Sequence, residues 1–208
     1  MTLPPTVHPI EVESYRILAA RVDLSSHPDA ERSIIERMIH ATADLSFAES
    51  ARIGSSAAAG LEQALTRDAP VVVDAAMVAA GITRYPTTCY LPRVPVAPAG
   101  STRSAAAITL AASEHPEGAV FVIGNAPTAL FELIRLADQD LVRPAAIVGL
   151  PVGFVGAKES KAALWDSPLA PISITNEGER GGSPPAAGAV NAMVRRVQHV
   201  DSKNRREG

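Results

Sequence analysis

The sequence predicts an α/β fold: an open, mostly parallel sheet with helices on both faces, in three αβα layers. Two features carry the prediction. Short β-branched runs such as Val71-Val72-Val73 and Val120-Phe121-Val122-Ile123 lack polar alternation, the pattern of strands buried on both faces. Helical segments separate these runs, and repeated strand–helix–strand units close through right-handed crossovers into a parallel sheet. At 208 residues with 47% hydrophobic content, the chain can bury such a core without disulfide or metal staples. No internal repeat or linker divides it, so residues 10–200 read as one domain.

Met1–Pro9 is proline-rich and reads as a flexible arm. Glu11–Arg21 is a first helix, its imperfect apolar face formed by Val12, Tyr15, Ile17, Leu18 and Val22. Ser26-His27-Pro28-Asp29 is a helix start with Ser26 as N-cap. The helix runs to about Ala43 on the stripe Ile34, Ile35, Met38, Ile39. Ser55–Arg67 is helical. The strand Pro70–Val73 ends at Asp74, a cap for the short helix Ala75–Ala80. A strand over Thr87–Leu91 leads into the proline-rich Pro92–Pro98. Helix Thr102–Glu114, strand Ala119–Ile123, helix Pro127–Asp138 and strand Ala145–Val148 follow. Helix Lys158–Trp165, strand Pro171–Thr175 and helix Pro185–Val200 complete the domain, and the charged Asp201–Gly208 reads as a disordered tail.

Composition excludes several functions. Aromatics are only 4%, too few for the stacking platforms of a single-stranded nucleic-acid binder. A net charge of −3 offers no general attraction to nucleic acid or anionic membrane, so an acidic ligand needs a local basic pocket. The single cysteine, Cys89, precludes an intrachain disulfide and a multi-cysteine zinc site, and suits a reducing cytosol. No apolar stretch approaches the ~20 residues of a membrane helix, and no signal-peptide pattern opens the chain. A cytoplasmic protein is expected.

In an open parallel sheet, ligands bind beyond the carboxyl ends of the strands. Three consecutive strands run into glycine-bearing loops there: Gly124-Asn125-Ala126-Pro127, then Gly149-Leu150-Pro151-Val152-Gly153-Phe154-Val155-Gly156-Ala157-Lys158, then Asn176 through Arg180-Gly181-Gly182-Ser183. Gly100-Ser101-Thr102-Arg103 has the same glycine-then-helix layout. Any one could be an ordinary turn. Together, with Arg103, Lys158 and Arg180 among them, they favour a large anionic ligand. The nucleotide fingerprints G-x-G-x-x-G and G-x-x-x-x-G-K-[ST] are absent, as are an HExxH-like metal spacing and a G-x-S-x-G elbow. His40 shares its helical face with Ser33, Glu36 and Arg37, which on periodicity alone makes it a solvated surface residue. The residues so far name no reaction.

Several blocks nevertheless resemble the motifs of the precorrin-8X methylmutase family: Arg37-Met38-Ile39-His40-Ala41-Thr42, Met77 through Thr83, Gly100 through Ala106, Ile123 through Leu130, Pro151 through Lys161, and Gly181-Gly182-Ser183. The likeness runs in order from about residue 8 to 197. It implies a homodimeric isomerase of cobalamin biosynthesis that moves a methyl group from C11 to C12 of precorrin-8X, giving hydrogenobyrinic acid. In the cobalt-bearing route it implies conversion of cobalt-precorrin-8 to cobyrinic acid. No metal, redox group or other cofactor is implied, because the methyl never leaves the substrate. The family's catalytic histidine matches His40, an acid for a ring C nitrogen. Ser14, Thr83, Arg84 and Arg103 match residues lining the macrocycle, and Asn125, Lys158 and Arg180 join them as candidates for its carboxylates. Against these stand plainer readings: a surface serine, a Thr-Arg turn, an Arg103 paired with a carboxylate, a turn asparagine and two solvated charges. Ser101 stands where Asn is common, and the stretch from Arg84 to Gly100 is short and proline-rich, which bears on the choice between metal-free and cobalt-bearing substrate. A non-catalytic corrinoid carrier is the competing function.

Overall fold

In the computed structural model, which describes the backbone of residues 8–207 and the side chains of residues 8–198, a helical opening leads into alternating helix and strand. Helices α1 (Pro9–Ala19), α2 (Asp29–Thr42) and the short α3 (Phe47–Ser50) precede β1 (Ala51–Ile53) and α4 (Ala57–Thr66). Then come β2 (Val71–Val73), α5 (Ala76–Gly81), β3 (Thr88–Cys89), α6 (Arg103–Glu114), β4 (Val120–Ile123) and α7 (Pro127–Asp138). The chain closes with β5 (Ala146–Gly149), α8 (Ala157–Trp165), β6 (Ser173–Asn176) and α9 (Ser183–Glu207). The described strands form one sheet in the order β1-β6-β5-β4-β2-β3. All neighbouring pairs are parallel except β1 with β6, where Ala51 lies opposite Asn176.

The missing alternation in the strands has its cause here. Val71, Val73, Val120, Val122 and Val148 point into a core shared with α2, α4, α5 and α9. Val72, Phe121, Ile123 and Ile147 point into a second core under α6, α7 and α8. Both faces of each strand are covered, so polar residues have no side on which to sit. The α/β sheet with helices on both faces is the expected fold. On the first face α9 runs back along α2: Gly188 lies against Arg37, where a Cβ would approach the Arg37 carbonyl oxygen to 2.9 Å. Glycine is what lets the two helices close. The last turn of α2 therefore sits beside the first turns of α9, which leave the carboxyl end of β6.

Several expectations change. β1 and α3 were not foreseen. Ala51-Arg52-Ile53 has no β-branched run, and it is a strand only because β6 offers an edge to pair with. Of the arm expected over Met1–Pro9, residues 1–7 lie outside the described residues, while Pro9 already opens α1. α9 continues to Glu207, past the expected end at Val200 and through most of the segment read as a disordered tail; Gly208 lies outside the described residues. That stretch carries helix formers and no proline. Pro28, not Ser26, is the N-cap of α2. Asp74 does not cap α5, whose N-cap is Ala75; its carboxylate is turned toward the β4–α7 loop instead.

Candidate active site

His40 lies in the last turn of α2. Periodicity puts it on the polar face of that helix, and the structure agrees, but α1 crosses over it and leaves the ring half-buried. Ser14 Oγ sits 2.8 Å from His40 Nδ1. The next residue, Tyr15, stacks its ring on the imidazole at 5.0 Å between centroids and 6° between planes. α1 is tied in place by charge. Glu11 accepts from Arg37 Nη1 on α2 and pairs with Arg195 Nη1 on α9 at 2.7 Å. The Tyr15 hydroxyl also accepts from Arg37 Nη1, at 3.1 Å. The Arg195 guanidinium, with help from Arg37, holds the Glu11 carboxyl at about 2 against the opposing effect of burial.

These surroundings set the acidity of the imidazole. Burial pushes His40 below its ordinary value, the Arg37 charge adds to that, Glu11 opposes it, and Arg195 adds a smaller push downward. A protonated imidazole donates from both nitrogens. With Nδ1 facing Ser14, Nε2 is the nitrogen left for a ligand.

A second titratable group lies at the topological switch point. The chain crosses the sheet one way from β2 to β3 and the other way from β4 onward, so the crevice between β2 and β4 is where open α/β sheets commonly hold ligands. Here the protein fills it with its own anion. Asp74, 1% exposed, accepts from the Gly124 N–H at 2.9 Å, the Asn125 N–H at 3.0 Å and the Ala126 N–H at 2.7 Å. Burial pushes its carboxyl upward, and the three N–H bonds resist that.

The remaining expected residues spread along the carboxyl edge. Thr83 and Arg84 are exposed in the turn after α5, where the Thr83 N–H reaches Asn191 Oδ1 at 3.4 Å. Arg103 is exposed at the start of α6, and it is not paired with a carboxylate. Its Nε donates to the Val94 carbonyl at 2.7 Å and its Nη2 to Leu91, pinning the proline-rich passage. Thr102 and Thr128 hydroxyls meet at 2.8 Å, so Arg103 sits by the first turn of α7, just after Asn125. Asn125 is half-buried, and its main chain is held by Asp74. Arg180 is not a free solvated charge: its guanidinium pairs with Asp44 and donates to Ser46 Oγ at 2.8 Å. Lys158 is exposed on α8, on the face opposite α2. It lines a cavity of about 300 Å³ with Arg52, Lys161 and Trp165. Of the candidates, the structure joins Ser14 directly to His40; no hydrogen bond or ion pair links Thr83, Arg84, Arg103, Asn125, Lys158 or Arg180 to it.

Sequence reasoning missed Glu11, Arg37 and Arg195, Tyr15 as more than an apolar contact, the true role of Asp74, and Lys161. Lys161 is 1% exposed and donates to Asn176 Oδ1 at 3.0 Å and to the Arg180 carbonyl, and burial pushes it down to about 8. Its signal was legible: Ala157, Ser160, Lys161 and Leu164 share one buried helical stripe. Among the described residues no group of three or more His, Cys, Asp or Glu could hold a metal ion. No helix among them is long and apolar enough to cross a membrane.

Fold and corner together define an α/β protein that presents one half-buried imidazole at the carboxyl edge of its sheet. Comparison with known proteins narrows the class. The precorrin-8X methylmutase family model matches residues 9–196. A precorrin-8X methylmutase of Pseudomonas aeruginosa is 42% identical over 88% of this chain and 92% of its own. A cobalt-precorrin-8 methylmutase of Methanothermobacter thermautotrophicus is 40% identical over 83% of this chain and 84% of its own. The crystal structure of a precorrin-8X methylmutase from Thermus thermophilus superposes with a TM-score of 0.81 at 32% identity, over 90% of this chain and 95% of that one. The chain belongs to the precorrin-8X methylmutase family and is an isomerase of cobalamin biosynthesis.

Proposed function

We propose that the protein moves a methyl group from C11 to C12 of precorrin-8X, giving hydrogenobyrinic acid, with His40 as the acid. The observation that carries this reading is the fixed imidazole: Nδ1 at Ser14, the ring flat on Tyr15, Nε2 unspent. His40 protonates a ring C nitrogen. The positive charge so placed draws density from the π-system and favours a [1,5]-sigmatropic methyl shift. The reaction is an isomerisation, so the proton lent at nitrogen returns once the methyl has moved. An acid positioned in this way contributes about 10²–10⁴-fold.

The lowered pKa of His40 suits a polyanionic substrate. Carboxylates arriving beside the imidazole favour its charged form, so it takes up its proton as substrate binds. The alkaline limb of kcat, set by the complex, is then expected at higher pH than that of kcat/KM, set by the free enzyme. Thr83, Arg84, Arg103, Asn125, Lys158 and Arg180 are assigned to the substrate's carboxylate arms. Because they are dispersed on one chain, we take the working form as a homodimer, which light scattering tests. We place it in the cytoplasm, where Cys89 stays reduced. Cobalt-precorrin-8 is the second substrate to try, since relatives of both names match this chain.

A visible-absorption time course with precorrin-8X, wild type beside His40→Ala, tests the reading. Conversion to the hydrogenobyrinic acid spectrum by wild type alone supports it. Binding of both substrates without conversion by wild type overturns it in favour of a carrier.

A further inference from the structure

A histidine on the polar face of a helix samples several rotamers unless something stops it. Here the restraint comes from α1, and how α1 is itself held is the telling point. This helix has 11 residues, too few to be stable alone in water. Its apolar anchorage is slight: Leu18 enters the core, but Ile10, Val12 and Ile17 are 74%, 56% and 44% exposed. What crosses from α1 to the rest of the domain near His40 is the Glu11 carboxylate, shared between Arg37 of α2 and Arg195 of α9.

We infer that Glu11, Arg37, Arg195 and Tyr15 are positioning residues for His40: the shared carboxylate latches α1 across α2 and α9, and the latched helix uses the Tyr15 ring to hold the imidazole plane with Nε2 facing the ligand. The inference rests on the reading of His40 as the acid. Tyr15 is held at both ends, its ring by His40 and its hydroxyl by Arg37. Half-buried ion pairs that share one carboxylate form a network, which isolated surface pairs do not. The latch also persists across the working pH range, since Glu11 stays ionised down to about pH 2. The charged and titratable groups around His40 are Glu11 and Tyr15 of α1, Glu36 and Arg37 of α2, and Arg195 of α9. Glu11 favours the imidazolium, while the two arginines disfavour it. One cluster thus holds the direction of the imidazole and tunes an acidity set first by burial.

The test combines NMR titration of His40 in the free protein with single-turnover rates on precorrin-8X, after circular dichroism has shown native helix content. Glu11→Gln is expected to lower the His40 pKa and Arg37→Met to raise it, moving the alkaline limb of turnover in opposite directions. Tyr15→Leu is expected to slow turnover about 10–100-fold with little change in substrate affinity, the scale of a slightly misplaced group. Tyr15→Phe, which keeps the stack, is expected to recover most of that loss. Equal rates in Tyr15→Leu and wild type, or shifts of the same sign in Glu11→Gln and Arg37→Met, would overturn the inference. Should Glu11→Gln fail to fold, Arg37→Met and the Tyr15 pair still decide it. Wild-type turnover by His40→Ala would remove the acid role while leaving the NMR shifts in place, so the two failures are told apart.

Discussion

At the carboxyl end of β2, Asp74 commits both carboxylate oxygens to its own chain, taking three backbone N–H groups of the β4–α7 loop. At the end of α2, His40 gives one nitrogen to Ser14 and keeps the other. Asp74 is fully and His40 partly shielded from water, both are shifted by burial, and both lie at the edge where α/β sheets bind ligands. Only one of them can act on something outside the protein. Position in the fold and a perturbed acidity constant would have chosen Asp74, at the switch point. Unspent hydrogen-bonding capacity chooses His40. A closed anion hole is structure, and a half-open imidazole is chemistry.

The contrast can be broken by substitution, beginning with the largest effect. His40→Ala should slow the methyl shift by about 10²–10⁴-fold while leaving thermal stability near wild type, because a half-buried surface-facing ring contributes little to the core. Calorimetry beside turnover reads both. Asp74→Ala should do the reverse. It strands three shielded N–H groups and should cost about 2–4 kcal/mol in a urea melt, with Asp74→Asn milder because its amide oxygen still accepts. A turnover loss in Asp74→Ala as deep as in His40→Ala, at unchanged stability, would erase the distinction.

Lys161 is a smaller test of the same idea, a buried cation whose donors serve Asn176 and the Arg180 carbonyl. Its folded value of about 8 lies below that of a free lysine. Between those two values the unfolded chain binds more protons than the folded one, so wild type should gain stability as pH rises from about 8 to about 10. Lys161→Met lacks that slope, and urea melts of the pair across this range isolate it. Smallest is Arg180→Ala, which removes an exposed pair with Asp44 and should change stability by less than about 1 kcal/mol. A rise in KM without loss of kcat would assign Arg180 to a substrate carboxylate.

How much of this was legible in the sequence differs between the two halves of the problem. The parallel strands were, because burial on both faces leaves Val71-Val72-Val73 and Val120-Phe121-Val122-Ile123 with nothing polar to interrupt them. β1 was not, because an edge strand of three residues exists only by pairing with β6. His40 was placed on the correct face, yet its burial was invisible. That depends on Glu11 meeting Arg195 across most of the chain, and no periodicity within α2 records it. Asp74 was misread for a related reason: a carboxylate before a helix looks like a cap, and its partners lie in a loop fifty residues on. Resemblance to a family named His40 and Ser14; it did not disclose the latch that holds them.

The most direct test is single-turnover conversion of precorrin-8X by excess enzyme across pH, wild type beside His40→Asn. The account predicts a wild-type rate that falls along one alkaline limb, and a variant that is slow and flat over the same range. A His40→Asn enzyme that converts substrate at the wild-type rate with the same alkaline limb would contradict it.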